Sequence, residues 1–491
     1  MLLINIYLNM KKVFFSAAAL MCGTMMFAQS NNSSVNSVGN NNTSAVSQVG
    51  LTNDSDVDQV GDDNDSSVDQ DGTSNLSEVR QASGYGPLRN RNNSVVEQDG
   101  TANDSFVWQD GDDNVSSIDQ DGTANDSYVD QWGDFNDNEV IQNGNNNDSD
   151  VYQGYNGDNH ISTVNQQGDD NVSYVWQDGD SNISDVDQGG DRNDSSVDQD
   201  GNDNISDVLQ GFAGDDNVSV VDQDGDNNNS NVDQWGNFND SYVKQDGNNN
   251  DSDVFQGYPG NYNTSDVDQI GDDNTSYVSQ DGGNNTSDVD QDGNLNDSNV
   301  NQDGFFNSSA VFQTGNSNLS TTDQIGNANG SSQIQTGNDN ESYVSQIGNN
   351  NGSFVAQVGD LNDSDVDQVG NLNNSSVAQN GDNNSSDVDQ LGNSNGSSVA
   401  QAGNDNTSIV AQTGDANTST VAQSGDLHLS TVTQNGMGNI SNVTQAGFSH
   451  TSDVFQDGNA NNSIVTQTGT THTSDVDQIG NGNTSTVTQS N

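Results

Sequence analysis

The chain has 491 residues of which only 27% are apolar, and its 74 Asp and Glu against 7 Lys and Arg give a formal net charge of −67. So little apolar material cannot fill the three ordinary cores that the length would otherwise suggest. The sign of the charge excludes nucleic acid and an anionic membrane surface as partners, because both require basic patches.

In chain order, residues 1–28 read as a secretory signal segment. Lys11 and Lys12 precede a mostly apolar run from Val13 to Phe27, and Ala28-Gln29 supplies a cleavage junction. The run is shorter than the roughly 20 residues a spanning helix needs, so no membrane span is expected in the mature chain. Cys22 lies inside this segment and is the single cysteine, so neither disulfide nor thiol chemistry is expected after export. Residues 29–32 form a short leader, and a repeat stack of about 41 units fills residues 33–491.

The repeat is read on glutamine. Gln recurs every 11 residues from Gln269 to Gln489, and the same period holds upstream with wider gaps after Gln81, Gln153, Gln210 and Gln256. Each unit reads N-x-S-x-V-x-Q-x-G-x-x, as in Asn263, Ser265, Val267, Gln269 and Gly271, then Asn274, Ser276, Val278, Gln280 and Gly282. The Val position holds a β-branched apolar residue everywhere except at Thr322 and Gln333. A spacing of two puts Asn, Ser, Val and Gln on one face of a strand, and it excludes an amphipathic helix. Gly then supplies the backbone angles of a tight turn. One buried Val is far too little to offset the entropy of ordering eleven residues, so a unit is stable only when stacked on its neighbours. The expected fold is all-β: a repetitive cross-β solenoid of 11-residue strand-turn units, two units per 22-residue layer. Stacked Asn and Gln form amide ladders in such an arrangement, and uncapped end strands template further strands.

Gln and Asn alternate at intervals of six and five, through Asn263, Gln269, Asn274, Gln280, Asn285 and Gln291, with Gly271 and Gly282 between them. This pattern resembles the curlin repeats of curli fibres, which are extracellular functional amyloids. The resemblance covers residues 33–491. The chain departs from the family in opening each unit with Asn rather than Ser, and in its length and acidity. The resemblance implies a secreted structural subunit that self-associates into cell-surface fibres supporting adhesion and biofilm matrix. It further implies export through an outer-membrane pore and a nucleator or companion curlin subunit.

No constellation of unlike residues converges in so uniform a repeat, so no enzyme is expected. Asp288, Asp290 and Asp292 begin like a calcium loop, but Asn299 stands where the closing Glu belongs. They leave a calcium-binding outer surface as one reading and a solvated acidic face as the other; no other cofactor is expected. His428, His450 and His472 recur at 22 residues in the Asn slot and should stack, as amide substitutes or as a metal or proton site. With two units per layer, the insertions after Gln81 and Gln153 should emerge on one edge and those after Gln210 and Gln256 on the other. The first insertion holds Pro87, Arg89 and Arg91, a basic bulge suited to an acidic partner or neighbouring protomer. Stacked carboxylates about 4.8 Å apart should repel and carry raised pKa values. The effect should weaken toward the C-terminus, where residues 301–491 hold 18 of the 74 acidic side chains. Two other functions stay open: a monomeric acidic β-solenoid acting as an adhesin or calcium-binding surface protein, and an ice-binding solenoid.

Overall fold

The computed structural model describes residues 30–82, 90–154, 156–211, 214–257 and 260–491. The signal segment and two residues of the basic bulge, Pro87 and Arg89, lie outside them. The described residues form 41 strands and no helix. The chain divides into two compact units, residues 1–158 and 159–491. The first holds β1 (Asn32–Val38) to β11 (Asp148–Gln153), and the second holds β12 (Ile161–Asp169) to β41 (Thr484–Ser490).

Within each unit every strand pairs in parallel with the strand two places on, so odd-numbered strands build one sheet and even-numbered strands the other. The register is residue-for-residue: in β21 (Thr264–Ile270) and β23 (Thr286–Asp292), Val267 faces Val289 and Gln269 faces Gln291. One strand from each sheet makes a coil of 22 residues, and the two units together hold about 20 coils. Each unit is a parallel β-solenoid. The alternation of the sequence becomes an alternation of burial, with Asn263, Ser265, Val267 and Gln269 all at most 1% exposed.

The wider gaps after Gln81, Gln210 and Gln256 do not disturb this register. Gln70 and Gln81 bond Gln98 and Gln109 across 28 residues, and Gln199 and Gln256 bond Gln223 and Gln280 across 24. The described strands on either side of these gaps therefore keep the same in-register pairing. In the first unit the insertions follow β5 (Leu76–Ala82) and β11, both in the odd sheet. In the second they follow β16 (Ile205–Gln210) and β20 (Asp251–Gln256), both in the even sheet.

The turn uses two left-handed positions. Gly271 and Gly282 have φ of +114° and +97°, and a Cβ on Gly282 would lie 1.9 Å from the carbonyl oxygen of Gly304. Glycine is required there for both reasons. Two residues on, non-glycine side chains also take φ near +60°, among them Asp273, Leu295 and Phe306. Bulky residues resist that region. The coil below holds them in it, because Leu295 N–H donates to Asp272 O at 3.0 Å and Phe306 N–H to Gly283 O at 3.1 Å.

The two departures from Val lie in successive strands, β26 (Leu319–Asn327) and β27 (Gly330–Thr336), and they meet inside one coil. Gln333 Nε2 donates to Thr322 Oγ1 at 2.6 Å and to Thr321 O at 2.8 Å, while Ser320 Oγ donates to Gln333 Oε1 at 2.6 Å. The polar pair is thus satisfied within the apolar column. Thr322→Val alone removes one acceptor from a buried amide and should cost about 1–3 kcal/mol. Thr322→Val with Gln333→Val recreates an ordinary Val coil and should recover most of that loss. Thermal unfolding of the two single variants and the double variant measures the coupling; additive losses would show that the pair does not act as one.

Candidate functional site

The interior ladder is built from amides. Gln280 sends one Nε2 hydrogen along the stack to Gln302 Oε1 and the other across the interior to Thr264 O, both at 2.9 Å. Gln269 does the same, reaching Gln291 Oε1 at 2.9 Å and Asp251 O at 3.1 Å. Each rung therefore joins consecutive coils and also ties one sheet to the other. The first unit carries the same rungs, for example Gln109 Nε2 to Gln131 Oε1 at 2.9 Å.

Asn works at the strand entry. Asn263 Oδ1 accepts the N–H of Asn285 at 3.0 Å, and its Nδ2 donates to Gly282 O at 3.0 Å. Asn274 repeats this with Asn296 N–H and Gly293 O, at 3.0 and 2.8 Å. The amide thereby satisfies backbone groups that the turn leaves unpaired. The serine column behaves differently: Ser265 and Ser276 are buried, yet their hydroxyls have no protein partner. In this inward column the in-register hydroxyls keep the roughly 4.8 Å spacing of the coils, whereas the longer amides reach across it. The hydrogen-bonded rungs are thus Asn and Gln, packed around the central column of Val267, Val278 and their equivalents.

A third ladder runs through the turns, at the residue after Gly. Asp272 N–H donates to Asn294 Oδ1 at 2.9 Å, and Asn294 N–H to Asn316 Oδ1 at 3.1 Å. Sequence reasoning missed it, although the recurrent Gly-Asn and Gly-Asp pairs were its signal.

His428, His450 and His472 stack with ring centroids 5.1 Å apart and planes within 8°. Nδ1 of His428 and of His450 accepts the backbone N–H of the next histidine at 3.2 and 3.1 Å. The other ring nitrogen of each faces a carbonyl, Ser424 O or Ala446 O. Both nitrogens are engaged as they are in a neutral imidazole, so the column substitutes for Asn.

Charge lies on the outer faces and turn edges. Asp288 and Asp290 point outward from β23, half-buried, with Asp292 exposed beyond them. Burial raises the pKa of Asp288; it also raises that of Asp290, with further contributions from Asp268, Asp288 and Asp292. The three carboxylates are set along one strand rather than around a point. Among the described residues no group of three or more His, Cys, Asp or Glu is placed to hold a metal ion. Three arginines are engaged within the chain. Arg91 pairs with Asp113, Arg80 pairs with Glu78 and lies over the Phe106 and Trp108 rings, and Arg192 Nε reaches Asp216 at 2.6 Å.

The fold and its interior define a class: a parallel β-solenoid held by in-register amide ladders. Eight segments match the Curlin associated repeat, at residues 39–72, 90–122, 162–190, 260–293, 337–370, 359–392, 381–414 and 414–447. The chain belongs to the curlin-repeat family, a structural, non-enzymatic family whose members are extracellular fibre subunits. No curated protein matches the chain. Among the described residues no helix is long and apolar enough to cross a membrane.

Proposed function

We propose that the chain is a secreted structural subunit of an extracellular curli-like amyloid fibre, supporting surface adhesion and biofilm matrix and performing no catalysis. The carrying observation is the Gln ladder. Each rung passes a donor to the next coil and receives one from the coil before, so the pattern has no built-in stopping point. Exposed strands support the same reading: β1 is exposed along its whole length, and β41, which among the described residues pairs with β39 (Asn462–Thr470) alone, alternates exposed with half-exposed residues. A strand edge of this kind accepts another strand. The partners are further copies of the chain, a nucleator or companion curlin subunit, and an outer-membrane export pore.

Gln401→Ala, Gln412→Ala and Gln423→Ala together should slow fibre growth from denaturant by tenfold or more, read by cross-β diffraction and dye fluorescence. Asp365→Asn, Asp387→Asn and Asp389→Asn on the outer face should not slow growth. Equal effects from both sets would refute the assignment of assembly to the interior. Soluble, non-polymerising wild-type protein would favour the monomeric adhesin reading.

A further inference from the structure

The outer faces of the second unit's two sheets differ in charge. In the odd sheet, β23 presents Asp288, Asp290 and Asp292, and the next odd strand, β25 (Ser308–Thr314), places Ala310, Phe312 and Thr314 opposite them. From β25 through β27, β29 (Gly352–Val358), β31 (Asn374–Asn380), β33 (Gly396–Ala402), β35 (Thr418–Asp426), β37 (Ile440–Phe448), β39 and β41, every outward residue ahead of the turn glycine is uncharged. The even sheet of the same coils keeps its acids, with Asp365 and Asp367 on β30 (Asp363–Asn371) and Asp387 and Asp389 on β32 (Ser385–Leu391). Acid also remains on the turn edge flanking the neutral face, at Asp360, Asp382 and Asp426. In a chain of net charge −67, nine consecutive strands without an outward charge form a defined surface.

We infer that this neutral face of the odd sheet, β25 to β41, is a lateral docking surface for the same face of a second copy of the chain. Charge selects the occupant. Two acidic solenoids approaching on any other side bring carboxylates together, and on this side they bring none, while the rim carboxylates stay in water as at ordinary interfaces. Size also suffices. Nine strands spaced about 4.8 Å apart, each presenting seven residues at about 3.3 Å, give a face on the order of 900 Å². A standard stable interface takes about 800 Å² from each partner. The face carries exposed apolar side chains, with Phe354, Val358 and Ile464 at 41%, 46% and 37% exposure. It also carries a shallow trough of about 360 Å³ lined by Ala378, Ala400, Ala402, Ala422, Thr444 and Ala446. A two-fold axis along β33 sets β29 of each copy over β37 of the other, with Val358 over Ala446 in the partner's trough and Phe354 over Asn442 at its side. This pairing is side by side and does not depend on growth at the ends.

The test counts solenoids side by side in full-length protein, by scanning-transmission electron-microscopy mass per unit length on fibres or discrete particles alike. Wild type should carry two chains per coil height. Ala378→Asp, Ala400→Asp and Ala422→Asp together should halve that to one, with recovery at pH 4, where the new carboxylates lose their charge. Three matching charges on the even face, Ala411→Asp, Thr433→Asp and Asn435→Asp, should leave it at two. A minimal variant guards against misfolding: in a Cys22→Ser background, Ala400→Cys should oxidise to a cross-linked dimer and Ala411→Cys should not. One chain per coil height in wild type, an unchanged count in the odd-face variant, or failure of Ala400→Cys to cross-link would each overturn the inference.

Discussion

Gly282→Ala is expected to break the solenoid at its coil, while Gly396→Ala is expected to leave it intact or slightly more stable. The two glycines are equally unremarkable by residue type. Gly282 holds φ of +97°, and a Cβ there would meet Gly304 O at 1.9 Å and Gly304 C at 2.7 Å, both backbone atoms fixed by their own coil. Neither atom can retreat without opening the ladder between the coils. The loss should reach about 4 kcal/mol or more, the range of collisions that neighbours cannot absorb. Because repeat stacks are stabilised by nearest-neighbour interfaces, the damage should be local, with new proteolytic cleavage around residues 281–285 and a lowered melting temperature. Gly396 opens β33 with nothing within 4 Å of a Cβ. Alanine there restricts the unfolded chain and should add about 0.4–1 kcal/mol. Equal melting temperatures for the two variants would show that the stacked turn is not the constraint.

Acidification from pH 8 to pH 4 should strengthen most of the stack. Asp126 and Asp130 in the first unit, and Asp185, Asp198, Asp233 and Asp365 in the second, have pKa values raised to about 6. Burial is the largest cause at each. Neighbouring carboxylates come next at Asp126, Asp185, Asp198 and Asp365, so repulsion, on which the sequence argument relied, is the smaller contribution. The reason is geometric: side chains of adjacent coils cover half of each outward carboxylate. A folded pKa above the unfolded value of 3.8 gives stability that is fully present below pH 3.8 and is lost as pH rises through about 6. Calcium at pH 8 should replace part of that loss by bridging carboxylates. His428 should respond in the opposite sense. Burial lowers the pKa of His428, and a proton on its Nδ1 would displace the His450 N–H. That contribution is present above the unfolded value of 6.5 and is lost as pH falls below it. Amide hydrogen exchange at pH 8 and pH 4 reads both effects: protection should rise around residues 185–233 and fall at the His428–His450 contact. A uniform change along the chain would contradict both assignments.

The 11-residue period determined the strands, the inward face and the turn positions directly, because spacing of two and a glycine at a fixed offset have one physical meaning each. The 22-residue coil was also legible, from the alternation of Asp-rich units with Ser- and Ala-rich ones such as Ser364-Asp-Val-Asp and Ser375-Ser-Val-Ala. Asn, Ser and Gln looked alike as inward polar residues, and the coil spacing separated them: the amides of Asn263 and Gln269 reach their partners, and the hydroxyl of Ser265 does not. Thr322 and Gln333 stood out in the sequence as two lone exceptions, yet only the winding of the chain brings residues 11 apart face to face across the interior. The fall in acidity after residue 300 was countable in advance. That the odd sheet loses its outward charge entirely while the even sheet keeps acids was decided by the tertiary structure, because which sheet a strand joins depends on its place in the winding and not on its own residues.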